Sequence, residues 1–313
     1  MRVGHRIAFI AMCCLLAGIA RAQDDQFSCE SAGASPGNPT VIATTLAGVP
    51  ALLRVPHQVS KSPIVLWHGF GPPDSERALL QALPLDDVPA VKVYLGLPLF
   101  GARPPAGGAD ELVRRQRQDL ARLVFEPVVM GAAKELPAVL EALARHGCMS
   151  RGEAIGLFGF SAGGAAVLYA MAEADVPIGV AITLNASTGL TASVDAFERA
   201  TKGSYAWTDA ARQLARRSDG VNRAKDIAAG DPPPALRIIH GAEDAMLTPR
   251  LAVSLRDALL PWYRAANAEH RLQLTVAPGM AHVWTDAGTV ETLRTSIAAW
   301  FQTHLTAAGA PAA

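Results

Sequence analysis

Apolar residues along this chain fall into short unbroken runs, separated by longer stretches in which they recur every third or fourth position. Short runs bounded by Gly and Pro mark buried strands, and the longer spacing marks helices with one apolar face. Thr40–Pro56 reads as an early hairpin around Gly48-Val49-Pro50, and Ser62–Trp67 (SPIVLW) as a buried central strand. That strand runs into His68-Gly69-Phe70-Gly71 and Pro72-Pro73, where the chain has to turn. Val91–Leu95 is a second strand, and Leu97–Gly108 is a Pro/Gly-rich loop without helical period. Glu111–Phe125 predicts a short exposed helix. Pro127–Ala144 carries Val128, Leu136, Val139, Leu140 and Leu143 at helical spacing and predicts a helix crossing back to the sheet. Pro137 is expected to kink or split it, and His146-Gly147 to end it.

The second half repeats the alternation. Strands Ile155–Phe158, Ile178–Leu184, Leu236–His240 and Leu272–Ala277 are interleaved with helices Ala162–Ala174, Pro249–Ala266 and Val290–His304. This order predicts an α/β fold, a mostly parallel central sheet with helices on both faces. Residues 186–234 lack strand character and carry Tyr205, Trp207 and an arginine-rich helical segment, Asp209–Arg217. They read either as a small lid or cap insertion or as a plain connecting layer. No internal repeat is visible.

Composition changes the picture mainly at the N-terminus. With 313 residues, 50% hydrophobic and 18% charged, the chain suits one large domain, or one domain with an insertion. Arg2, His5 and Arg6, the apolar run Ile7–Ile19 and the cleavage signal Ala20-Arg21-Ala22 read as a signal peptide over residues 1–22. The expected location is therefore secreted or periplasmic, with residues 23–313 as the folded domain. Met12 before Cys13 argues against lipid attachment, and the run is too short for a stable membrane span. Loss of Arg2, Arg6 and Arg21 lowers the basic count from 28 to 25 against 28 acidic residues. No basic stripe remains, so nucleic-acid binding is not expected. Cys29 and Cys148 would form one disulfide in an oxidising compartment, the alternative being two unpaired thiols. Without nearby histidine clusters they make no metal site.

The candidate chemistry sits in Ile155–Tyr169, IGLFGFSAGGAAVLY. Strand, sharp turn and helix around Gly159-Phe160-Ser161-Ala162-Gly163 are the context that a G-x-S-x-G nucleophile elbow requires. A bland alternative is a glycine-rich connection whose serine merely caps the helix. A serine hydroxyl needs a base to take its proton and an acid to orient that base. Asp244, at the end of strand Leu236–His240, and His282, after strand Leu272–Ala277, arrive in the required order. In open parallel sheets, loops at carboxyl strand ends converge. Glu243 is the weaker choice of acid, because neighbouring side chains point differently. His240 precedes the acid and reads as a packed or hydrogen-bonded strand-end residue, and Asp286 as a helix cap. His57, His146, His270 and His304 have no motif around them. The oxyanion would meet the Ala162 amide and a second amide from the His68–Gly71 loop, with His68 bracing that loop.

These pieces (HGFG at His68–Gly71, GFSAGG at Gly159–Gly164, HGAED at His240–Asp244 and GMAH at Gly279–His282) resemble the α/β-hydrolase superfamily, over most of the chain. Within it, the short G-F-S-x-G-G elbow looks most like dienelactone-hydrolase-type and related secreted esterases. The resemblance implies an α/β-hydrolase fold, no cofactor, catalytic Ser161, Asp244 and His282, and Phe70 as donor of the second oxyanion amide. HGFG departs from the HGGG of hormone-sensitive-lipase-like esterases. A serine at 161 argues against dehalogenase or epoxide hydrolase chemistry.

The leading expectation is a serine hydrolase cleaving a small-molecule carboxylic ester through an acyl-enzyme. The alternatives are a serine peptidase of the prolyl-oligopeptidase type, an acyltransferase using the same triad, and a binding protein that lost the chemistry. The peptidase ranks second here because such enzymes usually carry a large N-terminal β-domain, and the stretch between the leader and Ser62 is short. Trp284, Trp207 and Tyr205, with Phe100, are the candidates for lining an acyl or aryl pocket, though each suits core packing as well.

Overall fold

Eight strands form one sheet in the order β1-β2-β4-β3-β5-β6-β7-β8, seen in a computed structural model that describes residues 27–33 and 39–310. The signal-peptide reading falls outside the described residues. After a short helix α1 (Cys29–Gly33), β1 (Thr40–Leu46) and β2 (Val49–Val55) make the expected hairpin, and β2 pairs antiparallel with β4 (Lys92–Leu95). The remaining neighbours are parallel: β4 with β3 (Ile64–Trp67), then β5 (Ile155–Phe160), β6 (Ile178–Leu184), β7 (Ala235–Gly241) and β8 (Leu272–Ala277). The mostly parallel sheet flanked by helices is the α/β-hydrolase architecture.

Strand periodicity divides the core in two. Val65 and Trp67 of β3, with Ile155 and Leu157 of β5, face one layer; Ile64 and Leu66, with Phe158 and Phe160, face the other. The second layer is covered by α2 (Glu76–Ala82) and the C-terminal helix, whose Leu79, Ile297 and Phe301 are buried there. The first is covered by the helices that follow β4. Of these, α3 (Gly108–Leu120) breaks at Asp119, where φ −163° and ψ 90° leave the helical region, and passes through wide π-type turns over Ala121–Met130. These turns contain Pro127 and lead into α4 (Gly131–Arg145). The break expected at Pro137 is absent, because α4 runs through that proline as one helix. The irregularity sits upstream instead, where Asp119 accepts the amide of Arg122 and caps the second segment.

α5 (Ala162–Glu173) follows β5 directly and its small residues let it lie close against the sheet. Residues 186–234 fold as α6 (Leu190–Thr201), α7 (Asp209–Ser218) and α8 (Ala224–Ile227). α9 (Arg250–Ala265) packs beside β8, and α10 (Ala287–His304) closes the fold, capped by Asp286 as expected. Cys29 and Cys148 are joined as a disulfide, tying α1 to the end of α4. Among the described residues no helix is long and apolar enough to cross a membrane, and no cluster of His, Cys, Asp or Glu is arranged to hold a metal ion.

Candidate active site

The nucleophile is created by a backbone that only glycine neighbours permit. Ser161 sits between β5 and α5 at φ 54° and ψ −113°, a left-sided conformation that is costly for a residue with a Cβ. A Cβ on Gly159 would lie 2.2 Å from the carbonyl oxygen of Gly163, and one on Gly163 would lie 2.5 Å from those of His68 and Trp67. The elbow therefore closes only with glycine at both places. It aims Ser161 toward the carboxyl ends of the strands, where the loops after β3, β7 and β8 converge.

There His282 Nε2 lies 3.1 Å from Ser161 Oγ, and His282 Nδ1 lies 2.7 Å from Asp244 Oδ2. Ionised Asp244 only accepts, so Nδ1 carries the proton and Nε2 is left to accept from the serine. Asp244 is 2% exposed. Burial would raise its carboxyl, but hydrogen bonds from His240 and His282 and the Leu247 amide outweigh that and hold it well below the usual carboxylate range. Its other oxygen, Oδ1, accepts the amides of Met246 and Leu247 at 2.9 and 2.8 Å. The three side chains form a buried triad, the apparatus of a catalytic serine hydrolase.

Two supporting residues have their roles defined by contacts across the sheet. Asn185, at the end of β6, donates from Nδ2 to the carbonyls of Ala281 and His282, both at 2.9 Å, and accepts the Gly241 amide at 2.7 Å. It thus ties the base's loop to the acid's strand. No motif singles it out in sequence; its φ of 45°, tolerated best by Asn among side chains, is the local signal that its position is special. His68 donates from Nδ1 to Gly69 O at 2.7 Å and accepts the Leu97 amide at Nε2. Burial pushes its imidazole below the ordinary value, consistent with a neutral brace for the His68–Gly71 loop.

A cavity of about 170 Å³ opens at Ser161. Phe70 and Ala162 flank the serine; Gln116, Leu120 and Phe125 form one wall, Ser193, Ala196, Phe197 and Ala200 of α6 another, and Met246 and Leu247 of the acid loop a third. Among the described residues no charged side chain lines it. The aromatic candidates lie elsewhere. Trp284 is 1% exposed and packs edge-on against Phe160, while Tyr205 and Trp207 pack on each other and Tyr205 donates to Asp119 at 2.7 Å. None of the three lines the cavity, because each ring is taken up in packing. Phe100 reaches the mouth only by stacking on Phe70. The wall of α6 carries its residues at positions 193, 196, 197 and 200, a one-face helical spacing that is the missed sequence signal.

Solved structures share this fold at low identity. A protein designated TT1662 from Thermus thermophilus is 19% identical with a TM-score of 0.64, over 85% of this chain and 98% of that one. A dienelactone hydrolase from Anabaena variabilis is 15% identical with a TM-score of 0.52, over 86% and 100%. A puromycin-hydrolyzing peptidase of Mycobacterium tuberculosis is 18% identical with a TM-score of 0.57, over 88% of this chain but only 40% of that longer one. No curated protein matches in sequence. Residues 131–308, which include Ser161, Asp244 and His282, match the sequence model of the prolyl oligopeptidase family. That stretch is more than half of the sequence, and the chain belongs to the prolyl oligopeptidase family.

Proposed function

We propose that this protein is a serine peptidase that cleaves the bond after a small apolar residue of a short peptide or peptide-like amide, through an acyl-enzyme. The observation that carries the reading is that Ser161, Asp244 and His282 all lie within the stretch that matches a peptidase family; the uncharged cavity at Ser161 bears on which acyl residue fits. This reverses the order expected from sequence, where the ester reaction ranked first. The cavity's lining is mostly apolar, with Leu120, Phe125, Ala196, Ala200 and Leu247 around it, and suits an uncharged side chain such as Val, Leu or Pro.

In the first step His282 Nε2 takes the Ser161 proton as Oγ attacks the carbonyl carbon. The charge that develops on the carbonyl oxygen would meet the amides of Ala162 and Phe70, both beside Ser161 at the cavity. The N-terminal end of α5 favours the same negative charge. Asp244 stabilises the imidazolium without accepting its proton. His282 then protonates the leaving amine, and water repeats the sequence to release the acid. Ester hydrolysis is the second reading. It is favoured by the absence, among the described residues, of a charged group in the cavity to hold a peptide terminus, and the leader-like pattern of residues 1–22 supports an exported location under either reading.

Blocked aminoacyl anilides and the matching p-nitrophenyl esters, with Ala, Val, Leu or Asp as the acyl residue, test both. Val and Leu are expected to exceed Asp, and Ser161→Ala to abolish turnover. Turnover of the esters alone would transfer the assignment to esterase, and activity retained in Ser161→Ala would end the acyl-enzyme reading.

A further inference from the structure

The acid of the triad is held by two histidines, and only one of them has a role in the steps above. His240, the penultimate residue of β7, is 1% exposed. Its Nε2 lies 2.6 Å from Leu247 O and 3.2 Å from Asp244 Oδ2. A carbonyl oxygen can only accept, so Nε2 carries a hydrogen, and that hydrogen is shared between the two acceptors. Asp244 then receives four donors, the amides of Met246 and Leu247 on Oδ1 and the rings of His282 and His240 on Oδ2. A carboxylate offers about four lone-pair sites, so all of them are filled and the group has no freedom to rotate.

We propose that His240 is a positioning residue of the triad: its one ring proton orients the Asp244 carboxylate toward His282 and pins the carbonyl of Leu247, whose side chain walls the cavity at Ser161. The acid loop is short, and both its functions hang on this contact. The Leu247 amide binds Oδ1 while its carbonyl binds His240, so the loop from Asp244 to Leu247 is fixed at both ends of one residue. The ionisable side chains that face the Asp244 carboxylate are His240 and His282. A space-filling residue would need no donor here, and a buried polar ring is costly unless its bonds are made. Withdrawing the His240 donor frees the Asp244 carboxylate to turn away from His282 and releases the Leu247 carbonyl, so the base loses its fixed orientation toward Ser161.

The inference rests on the acyl-transfer reading, so the test uses a fluorophosphonate, which reports activation of Ser161 whatever the natural substrate. Its labelling rate is followed across pH for the wild type, His240→Leu and His240→Gln, with melting temperatures to confirm folding. Gln carries an amide hydrogen to about the place of Nε2. His240→Leu is expected to label about ten- to a hundredfold more slowly at neutral pH. His240→Gln is expected to recover the rate to within about threefold of wild type, a rescue that a merely space-filling role would not give. A His240→Leu rate within about threefold of wild type, or a His240→Gln as slow as His240→Leu, overturns the proposal. If His240→Leu does not fold, His240→Asn replaces it, since its shorter amide falls short of Asp244 and must show the same slowing. A wild type that does not label overturns the acyl-transfer reading, and this proposal with it.

Discussion

Replacing Gly163 by alanine should damage catalysis far more than its single added methyl suggests. The new Cβ would stand 2.5 Å from the carbonyl oxygens of His68 and Trp67 and 2.8 Å from the Trp67 carbonyl carbon. Ordinary contact begins at about 3.4 Å, so the first turn of α5 has to retreat from the end of β3 by roughly 0.9 Å in this close-packed interior. Those atoms are backbone at the root of the His68–Gly71 loop and cannot rotate aside. Overpacking of this kind costs about 1–3 kcal/mol of stability. The retreat also carries the Ala162 amide away from Phe70, and a displacement of about 1 Å at reacting groups costs on the order of a hundredfold in rate. Gly71→Ala, in the same loop, is the control, because its Cβ would meet nothing within 4 Å. Fluorophosphonate labelling and thermal unfolding of both variants decide the matter. A Gly163→Ala protein that labels within about threefold of wild type, at unchanged melting temperature, would falsify the claim that this contact sets the oxyanion geometry.

Three further perturbations follow from contacts described above. Asn185→Ala removes two donors to the Ala281 and His282 carbonyls and one acceptor for Gly241; kcat should fall and stability should drop by about 2–4 kcal/mol in a denaturant titration. Ala196→Phe should fill the cavity, so that Ser161 still labels with a methyl phosphonate while hydrolysis of Leu substrates is lost through KM and acetyl substrates survive. Lys92 is fully buried on β4, its ammonium donating to Val88 O at 3.0 Å, and burial lowers its pKa from the usual 10.5 to about 8. Between those values the unfolded chain binds more protons, so stability rises with pH through that window, by at most about 3 kcal/mol. Lys92→Met should flatten the rise and raise stability near neutral pH; urea unfolding of both proteins between pH 7 and about pH 10.5 measures it.

The strands were readable because buried parallel strands are nearly continuous apolar runs, as in Ile64–Trp67 and Ile178–Leu184. The triad was readable because the elbow needs glycine at fixed offsets from Ser161 and because the strand order places Asp244 and His282 after it. What escaped were features decided by contact rather than by pattern. Pro137 stays inside an unbroken α4, while the real break at Asp119 depends on a side-chain cap and on Tyr205 more than eighty residues away. The α6 wall of the cavity is built from Ser193, Ala196, Phe197 and Ala200, mostly small residues with no chemical signature, whereas the large rings of Trp284, Trp207 and Tyr205 pack against Phe160 and each other. Asn185 acts through backbone groups of β7 and of the loop after β8, a relation no local motif encodes.

The order of the sheet has one further consequence. Ser161 follows a central strand with partners on both sides, but His282 hangs from β8, the strand at the sheet's outer edge, whose residues are half-exposed along its length. Edge strands open at lower free energy than the interior does. Warming or mild denaturant would therefore detach the base from a serine still held in its elbow, and the enzyme would fall silent while most of its sheet remained intact. Activity in such a molecule is a report on its rim, and it would return as soon as that rim closed again.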